Sequence, residues 1–119
     1  MRDFKKLQVW QKSHDFTVQI YRATETFPSS ELYGLTNQIR RAAVSIPSNI
    51  AEGCGRDTNP DLIRFLHIAM GSTSEVEYQL LLAHDLGYLI SENYHQLQHK
   101  ISEIKRMLTG FIKKLKADG

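Results

Sequence analysis

The chain has 119 residues, of which 41% are hydrophobic and 24% charged. This is the composition of one globular domain and excludes an intrinsically disordered chain. No apolar run approaches the about 20 residues that a transmembrane helix needs, and the charged N-terminus is unlike a secretion signal. The single cysteine, Cys54, excludes an intrachain disulfide. We therefore expect a cytoplasmic protein with no membrane partner.

The formal net charge is only +2, but the charges are unevenly distributed along the chain. Residues 1–12 carry four basic side chains against one acidic, and residues 100–119 carry six against two. Residues 23–99 carry nine acidic side chains against four arginines. The two basic ends form one basic surface if they are neighbours in space.

Apolar residues recur every three or four positions without sustained strand-like alternation, which predicts an all-α fold. The four predicted helices span about residues 7–26, 31–52, 60–86 and 92–116 of a single domain, 1–119. Their expected N-caps are Ser30, Asn59 and Ser91. Short connections between long helices predict an antiparallel, up-down-up-down four-helix bundle.

The first helix carries two apolar stripes, although one buried face needs only one. The first stripe is Leu7-Trp10-Thr17-Tyr21, and the second is Val9-Phe16-Ile20-Phe27. Two stripes indicate burial on two sides, by sibling helices or by another subunit. Together with Met107 and Ile112 of the fourth helix, the second stripe indicates a subunit interface.

Pro47 interrupts the apolar pattern of the second helix. It removes one backbone N–H and leaves the carbonyl of Ala43 without its helical donor, at a cost of about 3 kcal/mol. We expect the polar side chains beside it to compensate, namely those of Ser45, Ser48 and Asn49.

Small and polar side chains surround this break where the second and third helices are expected to pack closely. The proposed structural motif comprises Arg41, Ser45, Pro47, Asn49, Glu52, Gly53, Ser72 and Glu75. One interpretation is a hydrogen-bonded network that fixes the register of the two helices. The other interpretation is a polar pocket.

The segment Ser45-Ile46-Pro47-Ser48-Asn49-Ile50-Ala51-Glu52-Gly53, followed by Gly55-Arg56, resembles a known family signature. It is similar to that of bacterial four-helix-bundle proteins encoded in intervening sequences of 23S rRNA genes. This family is related to the accessory variability determinant of diversity-generating retroelements. The resemblance extends over nearly the whole chain, including Val9-Trp10-Gln11-Lys12, Tyr33-Gly34-Leu35-Thr36 and Leu86-Gly87-Tyr88.

The family resemblance carries expectations about assembly and role. It implies a ring-like homopentamer and a non-enzymatic function. The retroelement relative is a basic assembly that binds nucleic acid and a reverse transcriptase.

No arrangement of residues in the sequence predicts catalysis. Glu92-x-x-His95 is a single copy of a motif that di-iron bundles use twice, with two further glutamates. His95 and His99 are interpreted as surface histidines, because a catalytic zinc site requires three protein ligands. His14 is expected in the core or in an interface. We therefore predict no catalytic residue, no metal, no cofactor and no enzymatic activity.

The basic ends of the chain predict a nucleic-acid-binding surface on the first and fourth helices. Arg106 and Lys113 lie opposite the apolar seam of the fourth helix. The candidate phosphate-binding residues are Lys5, Lys6, Lys12, Lys100, Lys105, Arg106, Lys113 and Lys114. Structured RNA or duplex DNA is the expected ligand, since no aromatic residues alternate with these cations to stack single-stranded bases.

Two alternatives to nucleic-acid binding stay open at this point. The lysine-rich surface can be an ordinary solvated face. The protein can also be a protein–protein adaptor, such as an accessory subunit for a reverse transcriptase or for a ribosome-associated partner.

Overall fold

The structure is a computed structural model that describes residues 2–119. Its four helices are α1 (Gln8–Ala23), α2 (Leu35–Cys54), α3 (Asn59–Asp85) and α4 (Ser91–Ala117). Three single 3-10 turns accompany them, at Phe4–Lys6, Thr24–Thr26 and Ser29–Glu31. Residues 2–119 form no strand, which confirms the predicted all-α class.

The helices lie side by side along the long axis of the molecule. Each helix contacts the next one along the chain, and α4 contacts α1. The molecule measures 46 × 23 × 20 Å, and a helix of 27 residues such as α4 is about 40 Å long. The four helices therefore alternate in direction, as in an antiparallel bundle.

This topology places both chain termini at the same end of the bundle. We call that end, formed by residues 2–8, 52–60 and 112–119, the terminal end. The opposite end, formed by residues 23–35 and 85–92, contains the α1–α2 and α3–α4 connections and is called the loop end.

The core is formed by one side of each helix. On α4 the buried residues are Leu97, Ile101, Ile104, Leu108, Ile112 and Leu115. The stripe Val9-Phe16-Ile20 of α1, continued by Phe27 in the α1–α2 connection, belongs to the same buried core within one chain. The prediction that this stripe and Ile112 form a subunit interface is therefore wrong. The reason is that α1 packs between α2 and α4, so the stripe is buried inside the bundle of a single chain.

The helix starts differ from those expected because other side chains supply the caps. The carboxylate of Glu31 accepts a hydrogen bond from the backbone N–H of Leu35 at 3.2 Å, so α2 begins four residues later than expected. Thr58, not Asn59, caps α3 by accepting from the N–H of Asp61 at 3.3 Å. Ser91 makes no capping bond, and its hydroxyl lies 3.1 Å from Nε2 of His84.

α2 continues through the buried Pro47, and a residue of α1 compensates for the lost N–H. The hydroxyl oxygen of Thr17 lies 3.1 Å from the carbonyl oxygen of Ala43 and 2.8 Å from that of Ser13. The donor thus comes from a neighbouring helix, not from the polar residues beside Pro47 as expected. Thr17 is itself buried, so water does not compete for the bond.

Three of the proposed motif residues form a network between α2 and α3. The hydroxyl of Ser72 donates to Oγ of Ser45 at 2.8 Å. The side-chain amide of Asn49 donates to the carbonyl and the hydroxyl oxygen of Ser45, at 2.8 and 3.0 Å. These bonds join the two helices at a fixed register, which supports the network interpretation over a polar pocket.

Gly53 lies where α2 packs closely against α3. A Cβ atom there would lie 2.8 Å from Cδ1 of Leu62 and 3.0 Å from Cβ of Phe65. The remaining motif residues are outside this contact: Arg41 is exposed, Glu52 pairs with Arg56 at 3.4 Å, and Glu75 accepts from Gln79.

Candidate nucleic-acid interface

The first and last segments of the chain are neighbours at the terminal end. The backbone N–H of Arg2 donates to the carbonyl of Cys54 at 2.9 Å. The Arg2 guanidinium lies 5.8 Å from the centre of the Phe111 ring on α4. The 3-10 turn that follows is capped by Asp3, which accepts from the N–H of Lys5 at 3.1 Å. The basic N-terminal segment is therefore held against the basic end of α4.

The apolar periodicity of α4 determines where its cations lie. Its buried residues recur at three- and four-residue steps and face the core. Arg106 and Lys113, seven residues apart, are exposed on the outer side, and Lys114 and Lys116 are also exposed. Lys100 is exposed near α1, since it lines a cleft between the two helices.

Two of the candidate lysines form ion pairs within the bundle. Nζ of Lys12 on α1 lies 3.0 Å from the carboxylate of Glu103 on α4. Nζ of Lys105 lies 2.8 Å from the carboxylate of Glu77 on α3. The hydrogen bond from Lys12, and then its positive charge, lower the pKa of Glu103 below its usual range. These two lysines therefore join neighbouring helices.

The other six candidates are exposed, and no ion pair found among residues 2–119 includes them. We call this set the basic face. It consists of Lys5, Lys6, Lys100, Arg106, Lys113 and Lys114.

The cleft between α1 and α4 is a poor phosphate site despite its two lysines. It has a volume of about 150 Å³ and is lined by Lys12, Asp15, Phe16, Gln19, Lys100, Glu103 and Ile104. Two carboxylates balance the two ammonium groups, so the cleft has no net attraction for an anion. The exposed cations of the basic face that lie outside this cleft are the stronger candidates.

Arg2 and Lys116 belong beside this face, although neither was among the eight candidate residues. Arg2 is exposed and held over Phe111, and Lys116 is exposed in the last turn of α4. The excess of basic residues at both ends of the chain was the available signal. Assigning Arg2 also required knowing that the ends meet.

The structure offers little for other chemistry. Residues 2–119 contain no group of three or more His, Cys, Asp or Glu side chains that could hold a metal ion. Cys54 is buried, and burial raises the pKa of its thiol, which disfavours a reactive thiolate. Absence of enzymatic activity stays a prediction.

His14 is exposed, so the expectation of a core position is wrong, and a position in a subunit interface stays a prediction. Its ring stacks on that of Trp10, with the ring centres 5.1 Å apart. No helix within residues 2–119 is both long and apolar enough to cross a membrane.

These observations define a class of protein. It is an all-α, four-helix bundle whose two chain ends combine into a basic face. A model of the family described as 23S rRNA-intervening sequence protein matches residues 5–110. The chain therefore belongs to the family of 23S rRNA-intervening sequence proteins, as its resemblance to that family predicted.

A solved structure from Bacteroides thetaiotaomicron is also similar to this chain. It is the crystal structure of a protein of unknown function from the S23 ribosomal protein family. The two share 30% sequence identity with a TM-score of 0.80, over 88% of this chain and 98% of that chain. No protein of the curated set matches the chain.

Proposed function

We propose that the protein is a non-enzymatic homo-oligomer that binds structured RNA or duplex DNA through the phosphate backbone. The observation that carries this proposal is the basic face, with six exposed cations outside the ion pairs of residues 2–119. Cations without internal partners can each neutralise a phosphate and release a counterion, which drives association.

The composition of the basic face favours phosphate contacts over base recognition. Five of its six members are lysines, which act as point charges, and Arg106 is the single arginine. Arg106 and Lys113 are separated by about 10 Å along α4. That distance is about the axial rise of three base pairs, so both can contact one backbone. We therefore expect binding with little sequence preference.

We propose that five copies form a ring, the number that the family resemblance implies. Three large apolar side chains on α3 support self-association, because Ile68, Tyr78 and Leu81 are 44%, 61% and 43% exposed. The opposite side of the same helix is buried in the core. Exposed apolar side chains of this size mark interaction sites on soluble proteins, and a neighbouring copy would cover them. Five basic faces in one assembly would strengthen binding by avidity.

Sedimentation equilibrium tests the assembly. The expected mass is five times the 13.7 kDa of one chain. Tyr78→Asp with Leu81→Asp should lower that mass, because burying a carboxylate in an apolar interface is costly. A wild-type protein that sediments as one chain would contradict the ring.

Fluorescence anisotropy with labelled duplex RNA, duplex DNA and single strands, each across a salt series, tests nucleic-acid binding. We expect micromolar or tighter binding to duplexes that weakens steeply with salt, and the slope gives the number of phosphates contacted. Arg106→Glu with Lys113→Glu should weaken binding by about tenfold or more and lower that slope.

The matched control is Arg22→Glu with Arg41→Glu, which makes the same charge change at exposed positions outside the basic face. This variant should lose much less affinity. Equal losses in both variants would show that only overall charge matters, and no binding at low salt would reject the proposal.

A second candidate function is a protein–protein adaptor. The exposed apolar side chains at the loop end of the bundle favour it, since such groups mark interaction sites on soluble proteins.

A further inference from the structure

The loop end exposes an apolar patch on its two connections. Tyr33 is 90% exposed and Leu32 is 49% exposed between α1 and α2. Ile90 is 65% exposed and Leu86 is 49% exposed between α3 and α4. Exposed apolar side chains grouped in this way mark an interaction site more often than an ordinary surface.

The two connections are fixed to each other. The hydroxyl of Tyr88 donates to Oε2 of Glu31 at 2.9 Å, and the rings of Tyr88 and Phe27 lie 5.4 Å apart. The second carboxylate oxygen of Glu31 accepts from the N–H of Leu35. The patch is thus held as one surface before any partner arrives, which lowers the entropic cost of binding.

Carboxylates lie in and beside the two connections. Glu25 and Glu31 lie in the first connection, and Asp85 and Glu92 lie beside the second. Arg22 is the single opposing cation between residues 22–35 and 85–92. The nearby Arg40 is held by Oγ1 of Thr24 at 2.8 Å and lies 4.7 Å from the Tyr21 ring centre. The loop end is therefore acidic, whereas the basic face extends to the opposite end.

We propose that the loop end docks a basic segment of a partner protein that also carries apolar side chains. The partner's apolar side chains pack on Tyr33 and Ile90 as anchors. Its lysines and arginines meet the carboxylates of the loop end, which steer the encounter and set the orientation. Nucleic acid does not fit this end, because its phosphates would face the same carboxylates.

The terminal end of a second copy is basic but does not match this patch. None of the large exposed apolar residues lies in residues 2–8, 52–60 or 112–119 of the described chain. A second copy would therefore offer charge without apolar anchors. This inference goes beyond the proposed nucleic-acid binding and does not depend on it, since the long dimension of 46 Å separates the two ends.

Three labelled helical peptides of about five turns serve as probes. The first has leucines on one face and lysines on the other. The second replaces leucine by serine, and the third replaces lysine by glutamate. Anisotropy titrations with wild-type protein should show the lysine–leucine peptide binding about tenfold or more tightly than either other peptide. Equal affinity of the glutamate–leucine peptide would overturn the proposal.

Two variants locate the binding. Tyr33→Ser with Ile90→Ser should weaken lysine–leucine binding by about tenfold. Val44→Ser, at an exposed apolar position on α2 outside the loop end, should leave it unchanged. Equal affinity in wild type and in the Tyr33 and Ile90 variant would place the peptide elsewhere and overturn the proposal.

A third variant tests the charges at exposed positions that carry no core packing. Glu25→Gln with Glu92→Gln should weaken lysine–leucine binding and leave the melting temperature and duplex RNA binding unchanged. Unchanged peptide affinity would overturn the role of the carboxylates. If the Tyr33 and Ile90 variant instead changes the sedimenting mass and not peptide binding, the patch contacts a second copy and the proposal fails.

Discussion

Thr17 shows how a single side chain can depend on a residue far away in sequence. Pro47 leaves the carbonyl of Ala43 without its helical N–H, and the Thr17 hydroxyl lies 3.1 Å from it. A buried carbonyl without a donor would cost about 1–3 kcal/mol. The proline and the threonine therefore form a coupled pair, although 30 positions separate them in the chain.

Thr17→Val should lower the free energy of unfolding by about 1–2 kcal/mol. The loss should be smaller in a Pro47→Ala background, because alanine returns an N–H to the Ala43 carbonyl. Urea unfolding of the four proteins of this double-mutant cycle measures the coupling. Pro47→Ala alone should be tolerated or mildly stabilising.

The control for this cycle is Thr109→Val on α4. The Thr109 hydroxyl also donates to the carbonyl four residues back, but it is exposed and bonds to no other helix. Its loss should change stability by no more than about 0.5 kcal/mol. A coupling of zero between Thr17 and Pro47 would contradict the pairing. Loss of the oligomer in Pro47→Ala would show that Pro47 shapes an interface.

The Lys12–Glu103 pair makes a contribution to stability that depends on pH. Folding lowers the pKa of Glu103 through the hydrogen bond and charge of Lys12. The pair therefore stabilises the fold above the ordinary glutamate pKa, and this stabilisation is lost as the pH falls through the lowered pKa. Lys12→Gln should lower the melting temperature at neutral pH.

Melting curves of wild type and Lys12→Gln should converge once the pH falls below the lowered pKa of Glu103, where the carboxyl group is protonated in both the folded and the unfolded state. Lys114→Gln removes an exposed cation that no ion pair of residues 2–119 includes. The difference in melting temperature between wild type and Lys114→Gln should not shrink as the pH falls. A difference between wild type and Lys12→Gln that stays constant with pH would indicate lost packing of the lysine chain instead.

At the scale of the helices, apolar periodicity predicted much and capping predicted little. The stripes of α1 and α4 were visible because each helix buries one side. The helix starts were missed because Ser30 and Asn59 are good N-caps by residue type, whereas Glu31 and Thr58 accept the capping hydrogen bonds. Nor does a sequence show which of two stripes a single bundle will bury.

The close approach of α2 and α3 makes Gly53 sensitive to substitution. Gly53→Ala would place a Cβ atom 3.0 Å from Cβ of Phe65, an atom next to the backbone that cannot rotate away. We expect a loss of about 1–2 kcal/mol, since overpacking outweighs the gain in helix propensity. Chemical unfolding measures it.

Gly110→Ala on α4 is the matched substitution for Gly53→Ala. Its Cβ would meet no atom within 4 Å, so it should raise stability by up to about 1 kcal/mol. Changes of the same sign in both variants would show that helix propensity alone determines the change in stability. The two helices could then separate slightly at Gly53.

At the scale of the whole molecule, the candidate interface was only partly predictable. The charge distribution indicated a basic surface provided that the chain ends meet, and Arg2 does contact both Cys54 and Phe111. The ion pairs of Lys12 and Lys105 were not predictable, because they depend on which helices adjoin. From the sequence alone, both lysines were predicted to be available for phosphate contacts.

The N-terminal segment has two roles, because it contributes lysines to the basic face and also covers Cys54. Arg2 bonds to Cys54, which is 1% exposed, and Lys5 and Lys6 follow in the same segment. Deleting residues 2–6 should make Cys54 react severalfold faster with a thiol reagent, because thiol reactivity follows exposure. The same deletion should lower the salt slope of duplex RNA binding by up to about three.

Lys5→Gln with Lys6→Gln separates the two effects, because it keeps the segment in place and removes two charges. This variant should lower the salt slope by about two while Cys54 reacts at the wild-type rate. If the deletion exposes Cys54 but leaves RNA affinity and slope unchanged, the N-terminal segment only covers the bundle. The phosphate contacts would then come from α4 alone, where Arg106 and Lys113 are the candidate residues.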